Sequence, residues 1–528
     1  MIIATLLAGN AARGAPAGEL DTTFAGSGKQ MIAFGPDNFA KAYTLAQAPD
    51  GALYLVGDAP FEGNASIGVA AFDFDGYPRE NGGVGNWLVS YTPPGASYVS
   101  MNAAAAQPDG KLVVVGGATI DLVSAPIVCR FEADLAVDTS FGDGGCVLLP
   151  LSGTGFGHAN AVIVQTDGKI AIAGQYDFDQ PIHAQAFIGQ LDSEGHPTEF
   201  DGDGVVFGPP AAEGQDTAFS AIAQAPDGGL VAAGYFGLAA NDRNFLVMKV
   251  DQTGAPVGAF NNLGFRIFAF DEGGVSFKDE AKAVAVFADG AILIAGDIDT
   301  GAAPRRGLGL LKLTSQGQLY PQFPPRVLDP CGATCEISTR AMKISYDGRI
   351  LVAGLYSDDL THKARDFFVW RLLPNGAQDS SFGQGMADYD GLAWLGFDLE
   401  NNHSQDVATG LVLQGDRVVA GGYCKVPGNL NTYNFCMARL DHGLDISFEV
   451  TPIAGPHGSI SPDGVTVVGH SDYALFSMIP DPGYRVLSAT GCGGSLNGAM
   501  YVAGPVIEDC AVSVTFGPLS IFSDGFED

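Results

Sequence analysis

Residues 48–59 read APDGALYLVGDA, and residues 107–118 read QPDGKLVVVGGA. Each is a polar turn, an apolar strand and a glycine, in that order. The phrase returns as QTDGKIAIAGQY at 165–176, APDGGLVAAGYF at 225–236, FADGAILIAGDI at 287–298 and SYDGRILVAGLY at 345–356. A seventh copy, LQGDRVVAGGYC at 413–424, reverses the Asp-Gly order. The closing glycines are Gly57, Gly116, Gly174, Gly234, Gly296, Gly354 and Gly422, spaced 59, 58, 60, 62, 58 and 68 residues apart. Asp-Gly between apolar runs is a hairpin signal, because glycine tolerates the positive φ of a tight turn. The strand after the turn is apolar at successive positions, which predicts a strand covered on both faces.

A second phrase travels with the first. APIVCRFEADLAVDTSFGDGG at 125–145 has counterparts at 186–204, 244–260 and 366–385, with landmark phenylalanines Phe141, Phe200, Phe260, Phe323, Phe382 and Phe448. LDTTFAGSG, with Phe24, is an isolated forerunner, and FDFDGYPRENGG at 72–83 lacks the phenylalanine. Each repeat thus holds about four short strands. Such a sheet cannot bury both faces alone; stacked in a ring it can, which is the β-propeller solution. Seven copies between residues 20 and 448 predict an all-β chain containing a seven-bladed β-propeller. The forerunner predicts that N- and C-terminal strands share one blade.

The paired motifs resemble the delta-60 repeat family of bacterial β-propellers over residues 20–448. That resemblance implies an exported propeller and supplies no catalytic residues. After Phe448 the phrases stop. Residues 449–517, with GSISPDG, GHSDYALFSMIPDPGYRV and VSVTF, form a predicted small β-domain that resembles a single internalin-type B repeat of bacterial surface proteins. It implies an extracellular spacer or interaction module. Residues 518–528 are an acidic, aromatic tail similar to DGFE ends of exported bacterial proteins, a sorting tag or a disordered end. Residues 1–19 carry a short apolar run and small residues like the end of a signal peptide, without its positively charged start.

Bulk composition agrees with this organisation. Among 528 residues, 46% are hydrophobic and 73 are glycine, which suits packed cores joined by turns. Acidic side chains number 59 against 26 basic, a net charge of −33 that disfavours nucleic acid and anionic lipid. No window reaches the roughly 18 apolar residues of a membrane helix. The eight cysteines fall as local pairs, Cys129/Cys146, Cys331/Cys335, Cys424/Cys436 and Cys492/Cys510. Disulfides in an oxidising compartment are the expectation, although spacing alone proves no pairing. A secreted, periplasmic or cell-surface monomer follows.

Chemistry is sparse. GHSDY at 469–473 sets Ser471 beside His470 and Asp472, but adjacent side chains point apart and form no triad. No HExxH or phosphate-cradling GxxxxGK[ST] occurs. FDFDG at 72–76 and FDGDG at 200–204 place Asp73, Asp75, Asp201 and Asp203 at a spacing calcium loops use, while hairpins want the same residues. Calcium is therefore the one candidate cofactor. Trp87 and Trp394 stand in variable stretches where stacking on a sugar competes with core packing. The reading is a binding, adhesion or structural scaffold without intrinsic catalysis, with a surface polysaccharide or protein as ligand. The alternative is an extracellular carbohydrate-active hydrolase or lyase using carboxylates at the propeller channel.

Overall fold

The computed structural model describes residues 16–34, 39–59, 66–79, 87–149, 151, 156–179, 182–210, 215–239, 242–270, 278–299, 306–330, 335–357, 365–383, 391–397, 405–426, 432–443, 447–469, 473–504, 506 and 508–519. Nearly all secondary structure is β. The chain divides into two compact units, residues 1–412 with 419–440, and residues 413–418 with 441–528.

The described residues of the repeat region form seven four-stranded sheets, the architecture of a β-propeller. One sheet shows the pattern: Ala96–Ala106, Leu112–Ile120, Val123–Phe131 and Cys146–Leu148 pair in chain order, all antiparallel. The Asp-Gly turn joins the first strand to the second. The second strand is the apolar run, and Leu112–Ala118 is buried throughout. Sequence and structure agree here: sheets pack face to face, so both sides of that strand are covered.

The recurring glycine has a specific cause. The first strand of each of the first six sheets carries a β-bulge opposite it; Met101 pairs with Gly116, Ala103 pairs with Val115, and Asn102 is left over. The bulge drives a carbonyl onto the glycine. A Cβ at Gly57, Gly116, Gly174, Gly234 or Gly354 would lie 1.9 Å from a main-chain oxygen, at Gly422 2.0 Å and at Gly296 2.2 Å. No side chain fits there.

The phenylalanines join neighbouring sheets. Phe24, Phe141, Phe200, Phe260, Phe323 and Phe382 are all at most 2% exposed. Their rings press on Gly76, Gly195, Gly254, Gly317, Gly376 and Gly18, each a turn glycine of the next sheet with positive φ. A Cβ added at those glycines would come within 2.4 to 3.3 Å of the ring. The residue after the phenylalanine then donates its N–H across the same junction, from Ala25 to Asp75 O, Gly142 to Glu194 O, Asp201 to Thr253 O, Asn261 to Gln316 O and Gly383 to Ala17 O. Pro324 has no N–H to give after Phe323, and the Arg326 guanidinium donates to Asn375 O instead, at 3.1 Å. The repeat that lacks the phenylalanine also lacks its receiver: Leu135 occupies the glycine position, at φ 66°.

Three latches carry a buried ion pair. Arg130 Nε meets Asp138 at 2.6 Å, Arg371 Nε meets Asp379 at 2.9 Å, and Arg439 Nε meets Asp21 at 2.8 Å. The guanidinium planes lie over Phe141, Phe382 and Phe24, with 4.6, 4.7 and 4.8 Å to the ring centroids. The pairs have excellent geometry, so removing one partner strands a buried charge.

The forerunner strand behaves as the sequence predicts. Lys29–Ile32 pairs antiparallel with Tyr433–Asp441, Lys29 opposite Ala438, and completes the last sheet of the propeller. Phe448 does not: it lies in Ser447–Ala454, a strand of the second unit, so the break falls after Leu440 and not after 448. The last sheet needs no phenylalanine of its own, because Phe24 fills that role.

The second unit holds two four-stranded sheets around Val450, Phe476, Met478, Tyr501, Val512 and Val514. Ser447–Ala454 runs parallel to Cys510–Pro518.

Two stability measurements test the latch. Asp21→Ala leaves the Arg439 charge buried and is expected to cost about 3 kcal/mol in urea unfolding; a loss below about 1 kcal/mol would remove the clamp from the account. Burial alone would raise the Asp379 carboxyl, but hydrogen bonds from Ser381 and Arg349 and the charge of Arg371 hold it down to about 2. A depressed carboxylate stabilises above its unfolded pKa near 4, so acid should remove about 2 kcal/mol as pH falls from 4 to 2. Asp379→Asn should flatten that slope.

Candidate functional site

The bulge that demands the glycine also aims a side chain inward. A cavity of about 580 Å³ is lined by residues from the first strands of all seven sheets. Its upper tier is the bulge residue of six repeats, fourteen positions before the closing glycine, Tyr43, Asn102, Asn160, Ser220, Lys282 and Arg340, with Thr409, thirteen before Gly422, at the same level of the seventh. A β-bulge re-aims the residue it leaves unpaired. Asn102 Nδ2 donates to Ala159 O at 3.1 Å, Asn160 Nδ2 to Phe219 O at 3.0 Å, and Thr409 Oγ1 to Ala42 O at 3.1 Å. These bonds run from one sheet to the bulge of the next, including from the last sheet to the first.

The wall is electrostatically one-sided. Lys282, Arg340 and Lys343 line it on the fifth and sixth sheets, and no carboxylate lines it among the described residues. Lys282 Nζ pairs with Glu280 at 2.6 Å, and Glu280 also meets Arg243. Burial would raise the Glu280 carboxyl, but Lys282 and Arg243 hold it down to about 2. Arg340 stands 3.6 Å from Asp297, whose oxygens already accept from Ser338 Oγ at 2.7 Å and the Thr339 N–H at 2.6 Å. Lys343 has no hydrogen-bond or ion-pair partner among the described residues, and its enclosure pushes its pKa down.

Aromatic groups frame the first-sheet side. Tyr43 packs edge-on to Tyr423, with centroids 6.1 Å apart. Lys41 Nζ lies over Phe39, Tyr423 and Tyr433, at 4.7, 4.9 and 4.4 Å from their centroids. Asp58 accepts from Ser100 Oγ and the Met101 N–H, both at 3.0 Å, which ties the first sheet to the second bulge as Asp297 ties the fifth to the sixth. Burial pushes Asp58 up to about 6, against the hydrogen bonds from Met101 and Ser100 and the charge of Lys41. Burial, with Asp58 and Tyr423 nearby, also pushes the Tyr43 phenol up.

The sequence-derived candidates lie elsewhere. Trp87 packs beside Phe72 with centroids 6.1 Å apart, against the core shared with Phe24 and Phe435. Trp394 stacks on Tyr356 at 4.4 Å and lines a separate cavity of about 430 Å³ that also touches Lys29. Asp73 Oδ1 accepts the N–H groups of Asp75 and Tyr77, and Asp203 Oδ1 accepts that of Val205. Asp75 reaches Arg439 at 3.3 Å, and Asp201 holds φ 50° in the turn after Phe200. Among the described residues, no three His, Cys, Asp or Glu side chains converge as a metal site.

Disulfides join Cys129 to Cys146, Cys424 to Cys436 and Cys492 to Cys510. Cys335 is also disulfide-bonded; Cys331 lies outside the described residues, as do His470, Ser471, Asp472, residues 1–15 and residues 520–528. Lys282, Arg340 and Lys343 escaped the sequence reading, although the fixed distance back from each closing glycine marks their level.

A family model for a domain of unknown function (DUF5122) β-propeller matches residues 107–141 and 347–382. Both stretches begin near an Asp-Gly turn and end on a latch phenylalanine. No curated relative matches the chain in sequence. Among solved structures, a protein of unknown function from Dyadobacter fermentans is 12% identical with TM-score 0.37, covering 78% of this chain and 97% of its own. Sqt1 from Chaetomium thermophilum is 14% identical with TM-score 0.39, covering 78% and 100%. The polysaccharide lyase Uly1 is 8% identical with TM-score 0.43, covering 78% and 92%.

One titration tests the tie at the cavity mouth. The Asp58 carboxyl carbon, followed by NMR, should titrate with a midpoint near 6. A midpoint near 4 would mean that the carboxylate is solvated and not buried behind the bulge.

Proposed function

We propose that the seven sheets close as a seven-bladed propeller that is exported and acts by binding a surface polysaccharide or protein, without catalysis of its own. Three disulfides and the absence, among the described residues, of a helix long and apolar enough to cross a membrane are compatible with export. The observation that carries the binding reading is the cavity wall. It gathers amides, hydroxyls, phenols and cations from seven strands and, among the described residues, no carboxylate pair of the kind glycoside hydrolysis uses. Asp58 and Asp297 stand nearby, but their oxygens are taken up by the neighbouring sheet, so they serve as ties. The first strands of all seven sheets converge on this cavity, and small-molecule sites are concave, largely pre-formed places of this kind.

The second unit, read as an internalin-type B-repeat-like module, fits a spacer or adhesion role beside the propeller. The protein works as a monomer in this reading, since the N-terminal strand supplies within one chain what a partner would otherwise have to supply.

The test is a panel of bacterial surface polysaccharides offered to the full chain, with binding and chain cleavage read in parallel. Binding without new reducing ends or unsaturated products is expected. Cleavage of any member would replace the binding reading by the carbohydrate-active one.

A further inference from the structure

Lys343 departs from its own repeat. It stands eleven positions before its closing glycine, where five other repeats carry Ala46, Ala105, Ile163, Ala223 and Ala285, and the seventh, one residue shorter here, carries Val412. Packing of the first strand therefore calls for a small or apolar residue at this level, and a lysine there gains nothing from its neighbours. It remains open to the cavity and has no ion-pair partner among the described residues. One level up, Lys282 and Arg340 sit on adjacent sheets and face the same space.

The surrounding charges leave the arc positive. Lys282, Arg243, Arg340, Arg306 and Lys343 are its cations; Glu280, Asp297 and Glu336 are the carboxylates that touch them. Asp216 also acts on Arg243, so among the described residues five cations stand against four carboxylates, an arc that is positive inside a chain whose net charge is −33. A narrow cavity with low-dielectric walls focuses such a field, and it is the opposite of what the acidic surface provides. The far side of the same tier offers Asn102, Asn160 and Ser220, which suit hydroxyl groups.

We propose that Lys282, Arg340 and Lys343 form a binding site for an oxyanion, the carboxylate, sulfate or phosphate of a small ligand seated in the cavity. This rests on the binding reading above and names the chemistry it selects. Lys343 supplies the free charge; Arg340 supplies a planar donor fork; Lys282 remains shared with Glu280. A volume of about 580 Å³ falls within the range that small-molecule sites occupy.

The experiment is calorimetric titration of the full chain with glucuronate, glucose and sodium sulfate at fixed ionic strength, repeated on Lys343→Met and Lys343→Arg. Glucuronate is expected to bind, glucose to bind at least about tenfold more weakly, and sulfate to compete. Lys343→Met should weaken glucuronate about tenfold or more, and Lys343→Arg should retain it. Lys343 opens on the cavity and has no ion-pair partner among the described residues, so neither variant breaks a pair there and neither should melt below the parent; Arg340→Gln provides a second, independent loss. Sulfate binding without glucuronate would assign the arc to a free inorganic anion and still uphold the oxyanion site. Equal affinity for glucuronate and glucose, or binding indifferent to Lys343→Met, would overturn it. A panel hit on neutral polysaccharides alone, unaffected by Lys343→Met, would sink this inference and leave the binding reading standing.

Discussion

A phenylalanine ring seated on a glycine of the next sheet is the contact on which the propeller depends. A four-stranded sheet of this size exposes two apolar faces and has no stability alone. The ring–glycine contact fixes how far one sheet lies from the next, because the missing Cβ sets the approach. The N–H that follows the ring fixes the angle, by crossing the same junction to a carbonyl. Where proline removes that N–H, Arg326 donates in its place; where the phenylalanine is missing, so is the glycine, and Leu135 stands there. The two halves of the contact are present or absent together, as expected of one interaction and not of two conserved turns.

The same economy governs the interior. An unpaired residue in the first strand of each of the first six sheets needs a glycine opposite it, and that glycine was the most regular mark in the chain. The bulge turns the spare side chain toward the cavity. Backbone constraint and site construction are thus one feature: the repeat holds the position constant and leaves the residue free to vary. Tyr43, Asn102, Asn160, Ser220, Lys282 and Arg340 put five kinds of side chain at one repeated backbone position.

That division explains what the sequence made legible. The Asp-Gly turns, the buried second strands, the closing glycines and the forerunner strand are backbone demands repeated many times, so they stand out against a single chain. The phenylalanines stood out as well, but their receivers did not, since a turn glycine has reasons enough to exist without a neighbour. Phe448 follows Gly422 by 26 residues, as Phe200 follows Gly174 and Phe260 follows Gly234, yet it lies in a strand of the second unit, and the strand expected after a latch is supplied by Lys29–Ile32 from the other end. The cavity residues were invisible for the opposite reason: they lie where repeats disagree, and disagreement looks like noise until the bulge gives it a place. Trp87 and Trp394 are conspicuous in the sequence by their rarity, and they pack against Phe72 and Tyr356.

If the N-terminal strand and its latch close the propeller, that strand cannot fray alone, although short terminal segments usually do. Its loss would open the sheet between Phe382 and Phe24 and expose the Arg439 clamp. Native-state hydrogen exchange of the amides of Lys29–Ile32 measures this directly. The account predicts protection approaching that of Tyr433–Asp441, the strand it pairs with, so that both exchange through global unfolding. Exchange of Lys29–Ile32 orders of magnitude faster, with Tyr433–Asp441 still protected, would contradict closure by the first strand.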